Sequence, residues 1–265
     1  MNIHISHETR YAYQTPTKRS IQLLRVTPQN LGHQRVLSWK LVVPCLGSEL
    51  FDGFGNYCTL LSMHEPHQQL QIQASGEVEI DETAEYLHDE RIPADLFLRH
   101  TDFTRSSEAI RDLAAKHLSR KINQDNLIAY SADILEHMPY TSGSTQVSTT
   151  AAESLQLGKG VCQDHAHVFL AGARTFGVPA RYVSGYLYTE SDQHLASHAW
   201  AEACLNGYWH VFDVSNQLFT PSHHVQLAIG LDYNDAAPIR GVRVGGGHER
   251  MDYRVQVLSG QQQQQ

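Results

Sequence analysis

The dipeptide Asn206-Gly207, set between two runs of strand-forming residues, constrains this chain more than any other feature. Asn-Gly is favoured in the two-residue hairpin turn whose central residues both need positive φ. Such a turn fixes the register of the strands it joins: Leu205 faces Tyr208, Glu202 faces Val211 and Trp200 faces Asp213. Strand side chains alternate between faces, so His198 shares a face with Trp200. His198 and Asp213 are therefore diagonal neighbours on one face, with Cβ atoms about 7–8 Å apart, a gap that an imidazole and a carboxylate can close. A slip of one residue would send them to opposite faces.

Upstream, Gly158-Lys159-Gly160-Val161 leads into Cys162. From there Ala166, Phe169, Leu170, Ala173 and Phe176 recur at helical spacing, and Gly177 and Pro179 end the pattern. Cys162 is thus expected at a helix N-terminus, followed by strands over 180–188, 195–204 and 208–214. A free thiol is mostly protonated at neutral pH, and a helix N-terminus and a nearby imidazolium both favour the thiolate. Cys162 as nucleophile, His198 as base and Asp213 as the group that orients the imidazole form the logic of a nucleophilic triad. The Cys162 backbone N–H, with a donor near Tyr140 or Thr141, would make an oxyanion hole. Gln163 and Trp200 are the other pocket candidates.

A zinc site is the competing chemistry, drawing on Cys162, His165, His167, His198, Cys204, His210 and Asp213. Helix and strand parity scatter this set, whereas zinc needs four converging ligands. Gly158-Lys159-Gly160 lacks the remainder of a phosphate-loop pattern, and Gly241 to Gly247 lacks a dinucleotide-binding setting. The latter stretch reads as a flexible hairpin loop before a strand at 251–258. No metal and no cofactor are expected.

Elsewhere the chain divides into an antiparallel β domain at 1–82, a connector at 83–103, a catalytic core at 104–260 and a polar Gln261–Gln265 tail without packing information. In the first part short β-rich runs are punctuated by Pro16, Pro28, Gly32 and Pro44, which predicts a small sandwich or barrel-like sheet. That sheet would pack, gate substrate or narrow a groove beside Cys162. Helices are expected over 107–118 and 126–138, and Thr150-Ala151-Ala152-Glu153 has capping-box spacing. Pocket walls would come from the loops at 141–149 and 188–197. With 20 Lys and Arg against 28 Asp and Glu, the net charge of −8 disfavours nucleic acid as partner. No apolar run is long enough to span a bilayer, and the N-terminus shows no secretory pattern. Four cysteines, at 45, 58, 162 and 204, are too few for a disulfide scaffold and predict reduced thiols in the cytoplasm.

Three blocks resemble the transglutaminase-like cysteine enzymes. They are Gly160-Val161-Cys162-Gln163-Asp164 with Ala166-His167 and Gly177-Val178-Pro179-Ala180-Arg181-Tyr182-Val183-Ser184-Gly185-Tyr186, then His198-Ala199-Trp200-Ala201-Glu202, then Trp209-His210-Val211-Phe212-Asp213-Val214-Ser215-Asn216. Asp52 to Asn56 with the early strands, and Ala228 to Gly241, are similar to the bacterial branch. The resemblance implies an α+β, papain-like fold in which a Cys-bearing helix packs on an antiparallel sheet, behind an N-terminal all-β domain. It assigns nucleophile, base and orienter to Cys162, His198 and Asp213. The activity it implies is acyl transfer or hydrolysis at a peptide or isopeptide amide, or a small amide, through a cysteinyl thioester. A non-catalytic interaction module and an amine-transferring transglutaminase are the alternatives. The animal enzymes of the family stabilise the oxyanion with an upstream Trp; here that region offers Tyr140, which points away from crosslinking.

Overall fold

The computed structural model describes residues 1–189 and 197–259. Five strands come first: β1 (Asn2–Leu24), β2 (Gln34–Val42), β3 (Gly47–Phe51), β4 (Tyr57–Met63) and β5 (His67–Ile80). Four helices follow: α1 (Glu108–Leu118), α2 (Gln124–His137), α3 (Ala151–Leu157) and α4 (Cys162–Thr175). Next are β6 (Ala180–Leu187), β7 (Ser197–Leu205), β8 (Tyr208–Phe212) and β9 (His224–Gly230), a short α5 (Tyr233–Ala236), and β10 (Ile239–Gly245) with β11 (Glu249–Ser259). The Gln261–Gln265 tail and residues 190–196 of the 188–197 loop lie outside the described residues.

Helix ends follow their local chemistry. The Ser107 and Asn123 side chains accept from the Ile110 and Asn126 N–H groups at the starts of α1 and α2. Thr150 and Glu153 form the reciprocal capping box that opens α3. On α4 a stripe of small residues lets its neighbours approach closely. A Cβ added at Gly172 would stand 2.0 Å from the Tyr130 hydroxyl and 2.9 Å from the Ala114 Cβ. That hydroxyl cannot retreat freely, because it is buried and donates to the Val168 carbonyl at 2.9 Å. Gly172→Ala is therefore expected to lower stability by about 1–3 kcal/mol through overpacking, measured as a lower midpoint of thermal unfolding.

The catalytic-type sheet runs β8-β7-β6-β9, all antiparallel. Its hairpin has the expected register, with Leu205 opposite Tyr208 and Glu202 opposite Val211, and Asn206 and Gly207 both take positive φ. Alternation divides the sheet's two faces. Ala199, Ala201, Ala203 and Phe212 pack in one core with Phe169 and Ala166 of α4. Trp200, Val183, Val211 and Ile229 pack in another with Leu87 and Phe97. The fold is transglutaminase-like: a Cys-bearing helix laid on an antiparallel sheet, with a strand-rich N-terminal region.

Three expectations need correction. The first seven-stranded sheet is built from β1 to β5 together with β10 and β11, which both pair with β1. A core running unbroken from 104 to 260 is thus not what forms, since residues 239–259 return to the first sheet. Residues 241–245 belong to strand β10 rather than to a flexible loop, and the turn is confined to 246–248. Finally, β1 continues through Pro16 instead of breaking there. Pro16 sits where the strand changes partners on both edges: pairing with β5 is interrupted between Ala12 and Thr17 and β4 follows from Ser20, while opposite them β11 ends at Tyr13 and β10 begins at Thr17. Prolines are tolerated in strands at such irregularities. The 83–103 connector is also firmly packed. Leu87 exchanges backbone hydrogen bonds with Trp209 at 2.8 and 2.9 Å, and Asp89 pairs with the buried Arg181 at 2.7 Å.

Candidate active site

Cys162 is the first residue of α4. The loop ahead of it is drawn tight because the Asp164 carboxylate accepts from the Val161 N–H at 2.8 Å and from the Thr145 hydroxyl at 2.6 Å. Gly160 is needed for this approach, since a Cβ there would come within 2.8 Å of the Asp164 Cβ. Cys162 is half-buried and lines a cleft of about 520 Å3.

His198 begins at the other side, near the start of β7, and Asp213 follows directly on β8. His198 Nε2 lies 2.8 Å from Asp213 Oδ2, and Cys162 lines the same cleft as the ring. With Nε2 held by the carboxylate, Nδ1 is the nitrogen left for the sulfur. Burial opposes a charge on His198, but the Asp213 carboxylate and then the Cys162 side chain outweigh it, and its pKa is pushed up to about 10. Burial likewise opposes ionisation of Asp213. Here the His198 charge and hydrogen bonds from His198 and His224 prevail and hold the carboxyl well below the usual carboxylate range. Asn216 adds its side-chain amide at 2.9 Å and its backbone N–H at 3.2 Å to the same carboxylate.

The remaining expected site residues divide. Tyr140 lines the cleft, and burial and then the nearby Cys162 raise its pKa. Thr141 does not offer a free backbone donor: its N–H goes to the Gly160 carbonyl at 2.8 Å. Gln163 is turned away, its amide donating to the Val147 carbonyl at 3.0 Å. Trp200 is not a pocket wall either. It is buried, donates to Glu202 at 3.1 Å, and lies behind the His198 ring at 6.2 Å and 22°. The parity that places His198 and Trp200 on one face also carries the indole into the core beneath.

Sequence reasoning missed four residues. Ser215 accompanies Asn216 in the cleft wall, and Tyr253 of β11 brings the N-terminal sheet to that wall from the C-terminal end of the chain. His224, the first residue of β9, reaches Asp213 Oδ2 with its Nε2 at 3.2 Å. Asn216 alone had a local signal, standing three residues after Asp213. A larger hollow, about 740 Å3, lies among Met1, residues 30–35 and residues 79–83. It holds none of these nucleophilic or basic groups, so chemistry rather than size selects the cleft beside Cys162.

Among the described residues, one cluster has the donor atoms for a metal ion: His198, Asp213 and His224, within 4.8 Å of one another. The 2.8 Å separation of His198 Nε2 and Asp213 Oδ2 is that of a hydrogen bond, shorter than the edge of about 3.3 Å expected for a tetrahedron with bonds of ~2.0–2.1 Å. Cys204 and His210 do not join this cluster, and His165 spends its nitrogens on Ser215 and the Met138 carbonyl at 2.8 and 2.7 Å. Also among the described residues, no helix is long and apolar enough to cross a membrane.

Two family models match the chain: the bacterial transglutaminase-like N-terminal region over residues 3–79, and the transglutaminase-like superfamily core over residues 112–214. An uncharacterized protein of Mycobacterium leprae is 28% identical over 277 residues, covering 96% of this chain and 97% of its own length. A second, from Mycobacterium tuberculosis, is 29% identical over 273 residues, covering 90% of this chain and 86% of its own. Among solved structures, that of a candidate cysteine protease from Cytophaga hutchinsonii superposes with a TM-score of 0.80 at 24% identity, over 98% of this chain and 91% of that one. Both stretches of the fold, the strand-rich N-terminal region and the core that joins Cys162 to His198 and Asp213, are thus accounted for, and the chain belongs to the transglutaminase-like superfamily, in its form with a bacterial-type N-terminal region.

Proposed function

We propose that this protein is a thiol-dependent acyl-transfer enzyme acting on an amide, with Cys162 as nucleophile, His198 as acid and base, and Asp213 as orienter. The observation that carries this reading is the His198–Asp213 pair at 2.8 Å in the cleft that Cys162 also lines from the start of α4. The sulfur attacks the amide carbonyl, forming the C–S bond, and His198 delivers its proton to the departing nitrogen as the C–N bond breaks. Water, deprotonated by the same imidazole, then attacks the thioester; the acid leaves and the thiol is restored. The Cys162 backbone N–H, at the first helical position, and the Tyr140 hydroxyl are the oxyanion donors. Hydrolysis is favoured over crosslinking because the cleft presents Tyr140 where an indole would otherwise serve.

The substrate is a peptide, protein or small amide that is uncharged where it enters. Of the described lining residues, none is Lys, Arg, Asp or Glu; they include Tyr140, Ser142, Ser197, Ser215, Asn216 and Tyr253. A cytoplasmic location fits the four free thiols. Intact-mass labelling with iodoacetamide near neutral pH tests the reading: one fast alkylation at Cys162 is expected, and labelling confined to Cys45, Cys58 or Cys204 would sink it. A glutamine peptide with a primary amine then separates the reactions, since release of ammonia without amine incorporation marks hydrolysis.

A further inference from the structure

The Asp213 carboxylate serves two imidazoles. His224 Nε2 stands 3.2 Å from the oxygen that His198 Nε2 approaches at 2.8 Å. To face a carboxylate, Nε2 of His224 must carry its hydrogen and donate. Its Nδ1 is buried without a partner among the described residues, and the ring is 1% exposed, packed 4.7 Å from Trp200. Burial lowers its pKa, although Asp213 pulls the other way. A neutral donor suits this position: it fixes the carboxylate in place without cancelling the charge that acts on His198.

The strand that carries His224 is fixed from outside the catalytic-type sheet. β9 is an edge strand, so its outer N–H and C=O groups need partners. Two side-chain amides of the N-terminal region, Gln34 at the start of β2 and Asn56 just before β4, supply them, each imitating a ladder peptide. The Gln226 N–H donates to Gln34 Oε1 at 2.8 Å, and Gln34 Nε2 donates back to the Gln226 carbonyl at 3.0 Å. Asn56 does the same at Ile229, with both bonds at 2.8 Å.

We propose that His224 is a positioning residue for the His198–Asp213 pair, acting through its N–H, and that Gln34 and Asn56 brace the strand that presents it. This rests on the acyl-transfer reading. It also gives the N-terminal sheet a part in setting the geometry of the site. The test is the pH dependence of Cys162 alkylation by iodoacetamide in the full-length protein. Wild type first decides the underlying reading: if Cys162 is not selectively alkylated near neutral pH, that reading fails whatever His224 does. Given a reactive wild type, His224→Phe, which fills the space without a donor, is expected to move the limb on which alkylation rises with pH up by about one unit, a tenfold loss at a fixed pH on that limb. His224→Gln, which keeps a donor, is expected to recover most of the shift. A His224→Phe profile that superposes on wild type overturns the proposal, as does an equal shift in both variants, which would mean packing alone. If His224→Phe does not fold, His224→Gln still decides: a shift as large as a full unit overturns the donor role. The double variant Gln34→Leu/Asn56→Leu is expected to shift the same limb in the same direction, and an unmoved limb removes the bracing.

Discussion

Replacing Cys162 with alanine is expected to abolish amide turnover, by roughly 10^6-fold on the scale set by removing the nucleophile of a comparable triad. The fold should survive. Cys162 is half-buried at the first position of α4, and alanine is the best helix former. The variant is also expected to remove the fast-alkylating thiol, which makes the result readable without a known substrate. Cys58 cannot substitute, because burial pushes its pKa up to about 11. Burial raises that of Cys204 as well. Wild type should therefore take up one equivalent of iodoacetamide quickly at neutral pH and Cys162→Ala none, with matching far-UV circular dichroism. Residual fast labelling in the variant would move the reactive thiol elsewhere and remove the basis of the proposed mechanism.

What could be read from the chain follows the range of the interactions involved. Asn206-Gly207 fixes a register by local backbone geometry, so the pairing of Glu202 with Val211 was legible, and with it the approach of His198 to Asp213. The capping box at Thr150 and the tight turn before Cys162 depend on residues within a few positions of one another. His224 depends on something else. β9 pairs with β6, some forty residues earlier, and only that pairing brings the second imidazole to the carboxylate. No local pattern encodes it. The same holds for β10 and β11, whose partner β1 stands at the opposite end of the chain. Trp200 misled for a third reason: alternation gives the face of a residue, but not whether that face is lined by solvent or by a second core.

Asp213→Asn is expected to separate charge from geometry in the pair. Three donors converge on Oδ2: His198 Nε2, His224 Nε2 and the Asn216 amide. Among the described residues only the Asn216 N–H addresses Oδ1. An asparagine would therefore turn its oxygen toward the imidazoles and its NH2 toward Asn216, keeping the tautomer of His198 while losing the negative charge. Without that charge, burial governs His198, and its pKa should fall from about 10 to below 6.5. The imidazolium then disappears at a pH where wild type keeps it. Without its imidazolium partner the thiol returns toward its ordinary value of about 8.5, so at one factor of ten per unit alkylation near pH 6.5 should drop by roughly 10^2-fold, with little loss near pH 8.5. Stability follows the same groups. The raised pKa of His198 gives stabilisation that is full below 6.5 and lost as pH rises through about 10. The depressed pKa of Asp213 gives stabilisation that is present above 3.8 and lost on acidification. Both act together between those limits, so the difference in thermal midpoint between wild type and Asp213→Asn should be greatest from pH 3.8 to 6.5 and shrink towards alkaline pH. A variant whose alkylation profile stays at the wild-type position would mean that the carboxylate does not set the charge on His198, and the ion pair would have to be abandoned as the source of reactivity at Cys162.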